Sequence, residues 1–394
     1  MMGAVEVAIV VLASCAALLT AWYLGTLKGV RKQHSSNKPL SKDSYFRGLN
    51  FLLNEEPDES IDTFIHSLEV NSDTLETHMA LGALMRRRGE VERAIRIHQN
   101  LLSHPRLNRE QLYQVQLELA RDFMQAGLLD RAERLMLDLA EMSDRYRQQA
   151  LEHLLEIYRD EQEWQNAIGV ADRLWPRRRL FSSGGGSLER GHFCCELAQQ
   201  ALQHGDSVQA RQHLRQALKY DKSSVRASLL LAQLDVDQGN CAGALKRLER
   251  IPTQDHELLP EAVDAICRAY QELGREKDLV GYLRELFGQY PTDKLLLALA
   301  EQLKAVEGEE QAIAFLREQL DKKTSLPALL QLMHWERPEQ GERRDSGLLS
   351  ITAIQQQLAE RHNYRCRSCG FSAQKMHWLC PTCKQWGAVK PNGH

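Results

Sequence analysis

Five glycines in this chain each stand five residues before a small or apolar partner: Gly89/Ala94, Gly127/Ala132, Gly205/Ala210, Gly239/Ala244 and Gly274/Leu279. Within the two clusters, successive glycines lie 38, 34 and 35 residues apart. A period of this length admits few folds, because it holds two short helices and the turn between them. In "THMALGALMRRRGEVERAIRIHQNLL", Leu81, Gly82 and Met85 are spaced to face Ala94, Ile97 and Leu101 across an antiparallel pair, with Gly89 as the turn. The small Gly82 and Ala94 would let the two backbones approach. The stretch "CELAQQALQHGDSVQARQHLRQALKYD" repeats the scheme with Ala198, Ala201, Gly205, Ala210 and Leu214, and "LLLAQLDVDQGNCAGALKRLERI" repeats it again.

The period is that of the tetratricopeptide repeat, about 34 residues. Degenerate copies at Ser60, Ala167 and Ala312 bring the expected total to about eight units over residues 44–335. One hairpin leaves an apolar face bare, so the units must stack into a solenoid, and a solenoid works by binding partners along its surface. The Leu, Tyr and Phe residues at repeat positions are read as core. Between the fourth and fifth units "WPRRRLFSSGGGSLERG", residues 175–191, reads as a flexible loop, with Arg177, Arg178 and Arg179 as solvated charge rather than a phosphate contact. The helical part has no G-x-S-x-G, no H-E-x-x-H and no glycine-rich phosphate loop, and its histidines lack ligand spacing. A net charge of −3 gives no general attraction to nucleic acid. An enzyme is not expected.

Residues 1–27 read as a transmembrane anchor and 28–43 as a basic juxtamembrane linker. Val7–Leu27 carries no charge over 21 residues, enough for a helix to cross about 30 Å of hydrocarbon. Lys28, Arg31, Lys32, Lys38 and Lys42 follow it, whereas only Glu6 precedes it. That asymmetry places the bulk of the chain in the cytoplasm. A cleaved signal or a lipobox at "LASC" fits less well, since the start lacks positive charge and the apolar run continues past Cys15. Five of the nine cysteines, Cys15, Cys194, Cys195, Cys241 and Cys267, sit in apolar patterns and read as small buried hydrophobes in a reducing compartment.

The other four close the chain. After a linker and helix at 336–361, residues 362–388 carry C-x-x-C-G and, ten residues on, C-P-x-C. Two such knuckles bring Cys366, Cys369, Cys380 and Cys383 into the tetrahedron that zinc or iron accepts. Four protein ligands close the site and favour a structural role. Gly370 can take the left-handed conformation the first knuckle needs, and Pro381 stiffens the second. The basic Arg361, Arg365, Arg367, Lys375, Lys384 and Lys390 would offset the anionic centre. Tyr364, Phe371, Trp378 and Trp386 are read as the module's core rather than as a nucleic-acid surface.

Anchor, repeats and knuckle pair together, with "YRCRSCGF", "WLCPTCKQWG" and "HFCCELA" as the most specific stretches, resemble the lipopolysaccharide assembly protein B family of Gram-negative bacteria. The resemblance implies an all-α chain ending in a small rubredoxin-like module that binds iron, zinc being the alternative, through Cys366, Cys369, Cys380 and Cys383. It implies a non-catalytic, single-pass inner-membrane adaptor on the cytoplasmic side. Such an adaptor lowers lipopolysaccharide synthesis by promoting FtsH-dependent proteolysis of the LpxC deacetylase. Other lipopolysaccharide assembly or regulatory proteins of the inner membrane are implied partners, and there is room for a homodimer. The competing reading is an electron-transfer or nucleic-acid-binding ribbon on a repeat scaffold. The 175–191 segment departs from the family pattern. The module is expected to dock on the open end of the solenoid and close its last face.

Overall fold

The computed structural model describes residues 74–176, 186–336 and 352–392 apart from 353 and 359. The expected span at 1–27, the basic linker at 28–43 and the Ser60 repeat lie outside the described residues, as do Arg177, Arg178 and Arg179. Among the described residues no helix is long and apolar enough to cross a membrane. The chain divides into two units, one ending at Tyr146 and one beginning at Arg147.

The first unit contains α1 (Leu75–Arg87), α2 (Val91–Leu102), α3 (Arg109–Gln125) and α4 (Leu129–Met142). Helix α2 buries Ala94, Ile97, His98 and Leu101, the spacing that puts one stripe of a helix into a core. Asn108 and Gln111 form a reciprocal capping box that starts α3. Gly82 serves a different purpose from the expected close backbone approach. A Cβ there would lie 2.5 Å from the His98 ring, so the missing side chain makes the notch that the ring fills. His98 Nδ1 lies 2.5 Å from Asp122 Oδ2. Arg86 donates to Asp122 Oδ1 at 2.6 Å and pairs with Glu118 at 2.6 Å. Burial works against ionisation of Glu118, but Arg86 and Arg121 hold its carboxyl below the usual range. The unit is thus tied by a buried polar network as well as by apolar packing.

The second unit begins with α5 (Arg147–Asp160), α6 (Trp164–Leu174), α7 (Ser187–Gln203), α8 (Ser207–Tyr220), α9 (Val225–Asp237) and α10 (Cys241–Leu248). A helical turn at Ile251–Gln254 and a 3₁₀ turn at His256–Leu258 lead into α11 (Leu259–Glu272), α12 (Glu276–Gln289), α13 (Asp293–Val306), α14 (Glu309–Lys322) and α15 (Leu326–Trp335). The described helices make seven hairpins, α1/α2 to α13/α14, with α15 after them. All five period glycines close hairpins at positive φ, from +63° at Gly274 to +83° at Gly89. Gly205, at φ +78°, illustrates the need: a side chain would be strained there although nothing crowds it. The degenerate copy at Ala167 has Gln162 at φ +59° in that role.

The expected loop at 175–191 is shorter than its sequence suggests. Gly186, at φ +79°, caps α7, and residues 187–191 are helical. Arg190 is fully buried rather than solvated. Its Nε donates to the Gly186 carbonyl at 2.9 Å, its Nη1 pairs with Asp172 at 2.8 Å, and it lies over the Tyr220 ring at 4.9 Å.

Residues 354–358 are helical. The terminal module is a three-stranded antiparallel sheet in the order β2-β1-β3, from β1 (Tyr364–Cys366), β2 (Ser372–Ala373) and β3 (Val389–Pro391). It runs past the expected end at residue 388, because Cys366 pairs with Val389 and Tyr364 with Pro391.

Candidate metal centre and its dock

The four terminal cysteines offer sulfur atoms that all lie within 4.8 Å of one another. Cys366 Sγ is 3.7 Å from Cys383 Sγ, and Cys369 Sγ is 3.6 Å from Cys380 Sγ. Zinc–sulfur bonds of about 2.3 Å at tetrahedral angles would set sulfurs about 3.8 Å apart. These spacings fit such a centre and are far beyond a disulfide's ~2.05 Å.

Local backbone builds each knuckle. The Gly370 N–H donates to the Cys366 carbonyl at 3.0 Å, and the Lys384 N–H donates to the Cys380 carbonyl at 2.9 Å. Each turn needs a residue at positive φ just after its second cysteine, and these are Gly370 (+78°) and Lys384 (+56°). Burial opposes ionisation of Cys366, yet N–H groups of Cys369 and Ser368 bring its thiol down to about 6. The Phe371 N–H favours a Cys369 thiolate, but burial and the neighbouring thiols push it up to about 11. Metal binding needs thiolates, so uptake of a cation would release the protons these sulfurs hold.

The module's interior is slight. Its buried cluster is Cys366, Cys380 and Val389, with Tyr364, Phe371 and Met376 packed against it. Trp378 and Trp386, expected inside, point instead at the solenoid. Trp386 stacks on His192 at 4.8 Å and 16°, and meets Phe193 at 5.9 Å and Trp164 at 6.1 Å edge-on. Arg226 lies over Trp378 at 5.7 Å and Trp386 at 6.0 Å, and is held by Glu196 at 2.9 Å and by Gln199. The basic residues expected to offset the metal also reach outward: Arg367 pairs with Glu257 at 2.8 Å, and Lys390 pairs with Asp255. Tyr364 donates its hydroxyl to Glu261 at 2.7 Å. The dock is therefore on α6, α7, α9 and the start of α11, in the middle of the unit rather than on its last hairpin.

His192, Phe193, Trp164 and Arg226 were not expected as site residues, although "HFCCELA" carries part of the family resemblance. Burial, with Arg226 and Lys390 nearby, lowers the His192 imidazole to about 3. Burial pushes the Cys194 and Cys195 thiols up to about 12, in keeping with small core residues. Cys241 is buried as well, and Cys267 half-buried.

Residues 364–391 match the family model described as a rubredoxin metal binding domain, and residues 201–266 match that of the tetratricopeptide repeat. Lipopolysaccharide assembly protein B of Escherichia coli strain K12 is 34% identical over 372 residues, covering 94% of each chain. The chain belongs to the lipopolysaccharide assembly protein B family. Its Haemophilus influenzae member is 33% identical over 380 residues, again covering 94% of each chain. A tetratricopeptide repeat protein from Parabacteroides merdae of known structure is 15% identical with a TM-score of 0.32, covering 72% of this chain and 100% of its own. The similarity to these relatives spans repeats and ribbon alike.

Proposed function

We propose that the protein is a non-catalytic, membrane-tethered adaptor that lowers lipopolysaccharide synthesis by presenting the LpxC deacetylase to the FtsH protease. The observation that carries this reading is relatedness over 94% of each chain to a protein named for lipopolysaccharide assembly. The uncharged run Val7–Leu27 and the lysines and arginines after it support a single inner-membrane span with the bulk in the cytoplasm. A repeat solenoid offers partner-binding surface, and a tether on the membrane that holds the protease raises effective concentration towards the mM range. Cys366, Cys369, Cys380 and Cys383 would hold iron, or zinc as the alternative, and such a metal supplies cross-linking of the ribbon with no open position for substrate. Docking then fixes the solenoid's middle hairpins in one arrangement.

The test is deletion of residues 1–27 at native expression, with LpxC half-life as the readout. The truncated protein should fold and load metal yet lose control of LpxC turnover. Full control by the truncated protein would overturn the tethered-adaptor reading.

A further inference from the structure

On the first unit, α2, α3 and α4 leave an open groove of about 540 Å³. The buried Leu119 and Phe123 of α3 form its floor, and the half-buried Leu102 of α2 and Leu135 of α4 form its walls. Its lining contains Arg131 and Arg134 and no acid. The Arg131 guanidinium lies 5.8 Å over the Phe123 ring. Neither arginine forms an ion pair with any described residue. Asp130 and Glu133 fall on other faces of α4, and Asp138 lies one turn beyond Arg134, outside the lining. The apolar surface continues along α4 past the groove. Leu128, Leu135 and Met142 follow one another at seven-residue spacing, close to two helical turns, so the three share one face. Leu128 is 40% exposed and Met142 65%, two of the five large apolar side chains that stand exposed among the described residues. The stripe they make runs about 21 Å, or about four helical turns.

An apolar stripe that recurs every two turns matches the contact face of a second helix lying along it. The two arginines beside it select among such helices by charge. We propose that this groove docks an acidic amphipathic helix of a partner protein, with apolar side chains on Phe123, Leu135 and Met142 and carboxylates on Arg131 and Arg134. A neutral or basic helix would leave both guanidinium groups without an anion. The inference goes beyond the adaptor reading and stands without it, since it requires neither LpxC nor FtsH and uses neither the ribbon nor its metal.

A display library of helical peptides about four turns long tests it, with an apolar residue kept at every third or fourth position and random polar residues between. The library is panned on the full-length protein in detergent, with counter-selection on Leu128→Glu/Met142→Glu. Captured peptides should carry Asp and Glu well above Lys and Arg beside the apolar stripe. Synthesised for fluorescence anisotropy, they should bind Arg131→Gln/Arg134→Gln about tenfold more weakly than the unaltered protein, and the gap should close as salt rises. All four substitutions fall on exposed side chains, and circular dichroism confirms that both variants keep their helices. The proposal is overturned if no captured peptide depends on Leu128 and Met142, if basic peptides are captured as often as acidic ones, or if the double arginine variant binds unchanged. Sedimentation of the full-length protein separates one more occupant. Dimers that Leu128→Glu/Met142→Glu splits into monomers would assign the groove to a second copy of this chain and equally overturn the proposal.

Discussion

Replacing Trp386 by alanine is the most direct test of the dock. The residue is only 7% exposed and touches His192, Phe193, Trp164 and Arg226. A buried tryptophan covers about 150–250 Å², and at about 25 cal/mol per Å² that corresponds to about 4–6 kcal/mol of transfer energy. Part of that area lies against the ribbon itself, so the measured cost should fall at about 3–5 kcal/mol, the range of large-to-small changes in cores. The Arg367–Glu257 pair, with side chains 54% and 39% exposed, is worth at most about 1 kcal/mol. The aromatic contact therefore dominates. Urea unfolding followed by helix signal would read the loss as a lower midpoint at unchanged slope, with metal content measured in parallel. A loss below about 1 kcal/mol with metal retained would refute the dock as a stabilising contact. The same substitution in a Cys380→Ser background separates two causes. If the metal shapes the dock, the Trp386→Ala penalty should shrink by about 2 kcal/mol when a ligand is missing, and simple additivity would show that ribbon and dock are independent.

Asp122→Ala should destabilise the first unit by about 1–3 kcal/mol, because it leaves the buried His98 ring without its carboxylate, while Arg86 keeps Glu118 as a partner. Asp122→Asn, which keeps the shape, should cost less in urea unfolding, and equal costs would count against the charge as the cause. Stability should also fall on acidification. Burial and the nearby Arg226 and Lys390 hold His192 at about 3 in the folded protein against an ordinary 6.5, so the unfolded chain gains a proton first, and each pH unit between those values costs about 1.4 kcal/mol. His192→Phe should flatten that dependence over the range in which the metal stays bound, and an unchanged slope would assign the effect to another group.

Helical hairpins were legible because a turn glycine marks the period in five of the described hairpins, and Gly89, Gly127, Gly205, Gly239 and Gly274 all stand where the spacing puts them. The metal ligands were legible because four thiols at paired short spacing serve few other purposes, and the sulfurs do converge. Contacts between distant segments were not. Nothing local in "HFCCELA" says that His192 will meet Trp386, some two hundred residues on, and a small module with four aromatics invites the assumption that they are its own core. The 175–191 loop was misjudged for a different reason: its Ser/Gly run reads as loop throughout, and only Gly186 at positive φ shows that the run ends in a helix cap. Asp122 and His98 are ordinary helix-face residues in sequence, and only the stacking of α1, α2 and α3 turns them into a buried pair.

The residues that grip the solenoid are also those whose positions the metal would fix. Tyr364 lies two residues before Cys366, Arg367 directly after it, Trp378 two before Cys380, and Trp386 three after Cys383. Two of the three buried apolar residues in the ribbon's own cluster are themselves candidate ligands. A module with so little core depends on metal for its shape, and without that shape the four grips cannot reach α6, α7, α9 and α11 together. Metal binding and docking must then be coupled, each tightening the other by the same free energy. Phe193, 1% exposed in the docked protein, would lose its tryptophan cover with the metal. The chain would then present an apolar patch where it had presented a ribbon, which increased binding of an apolar dye after chelation would reveal.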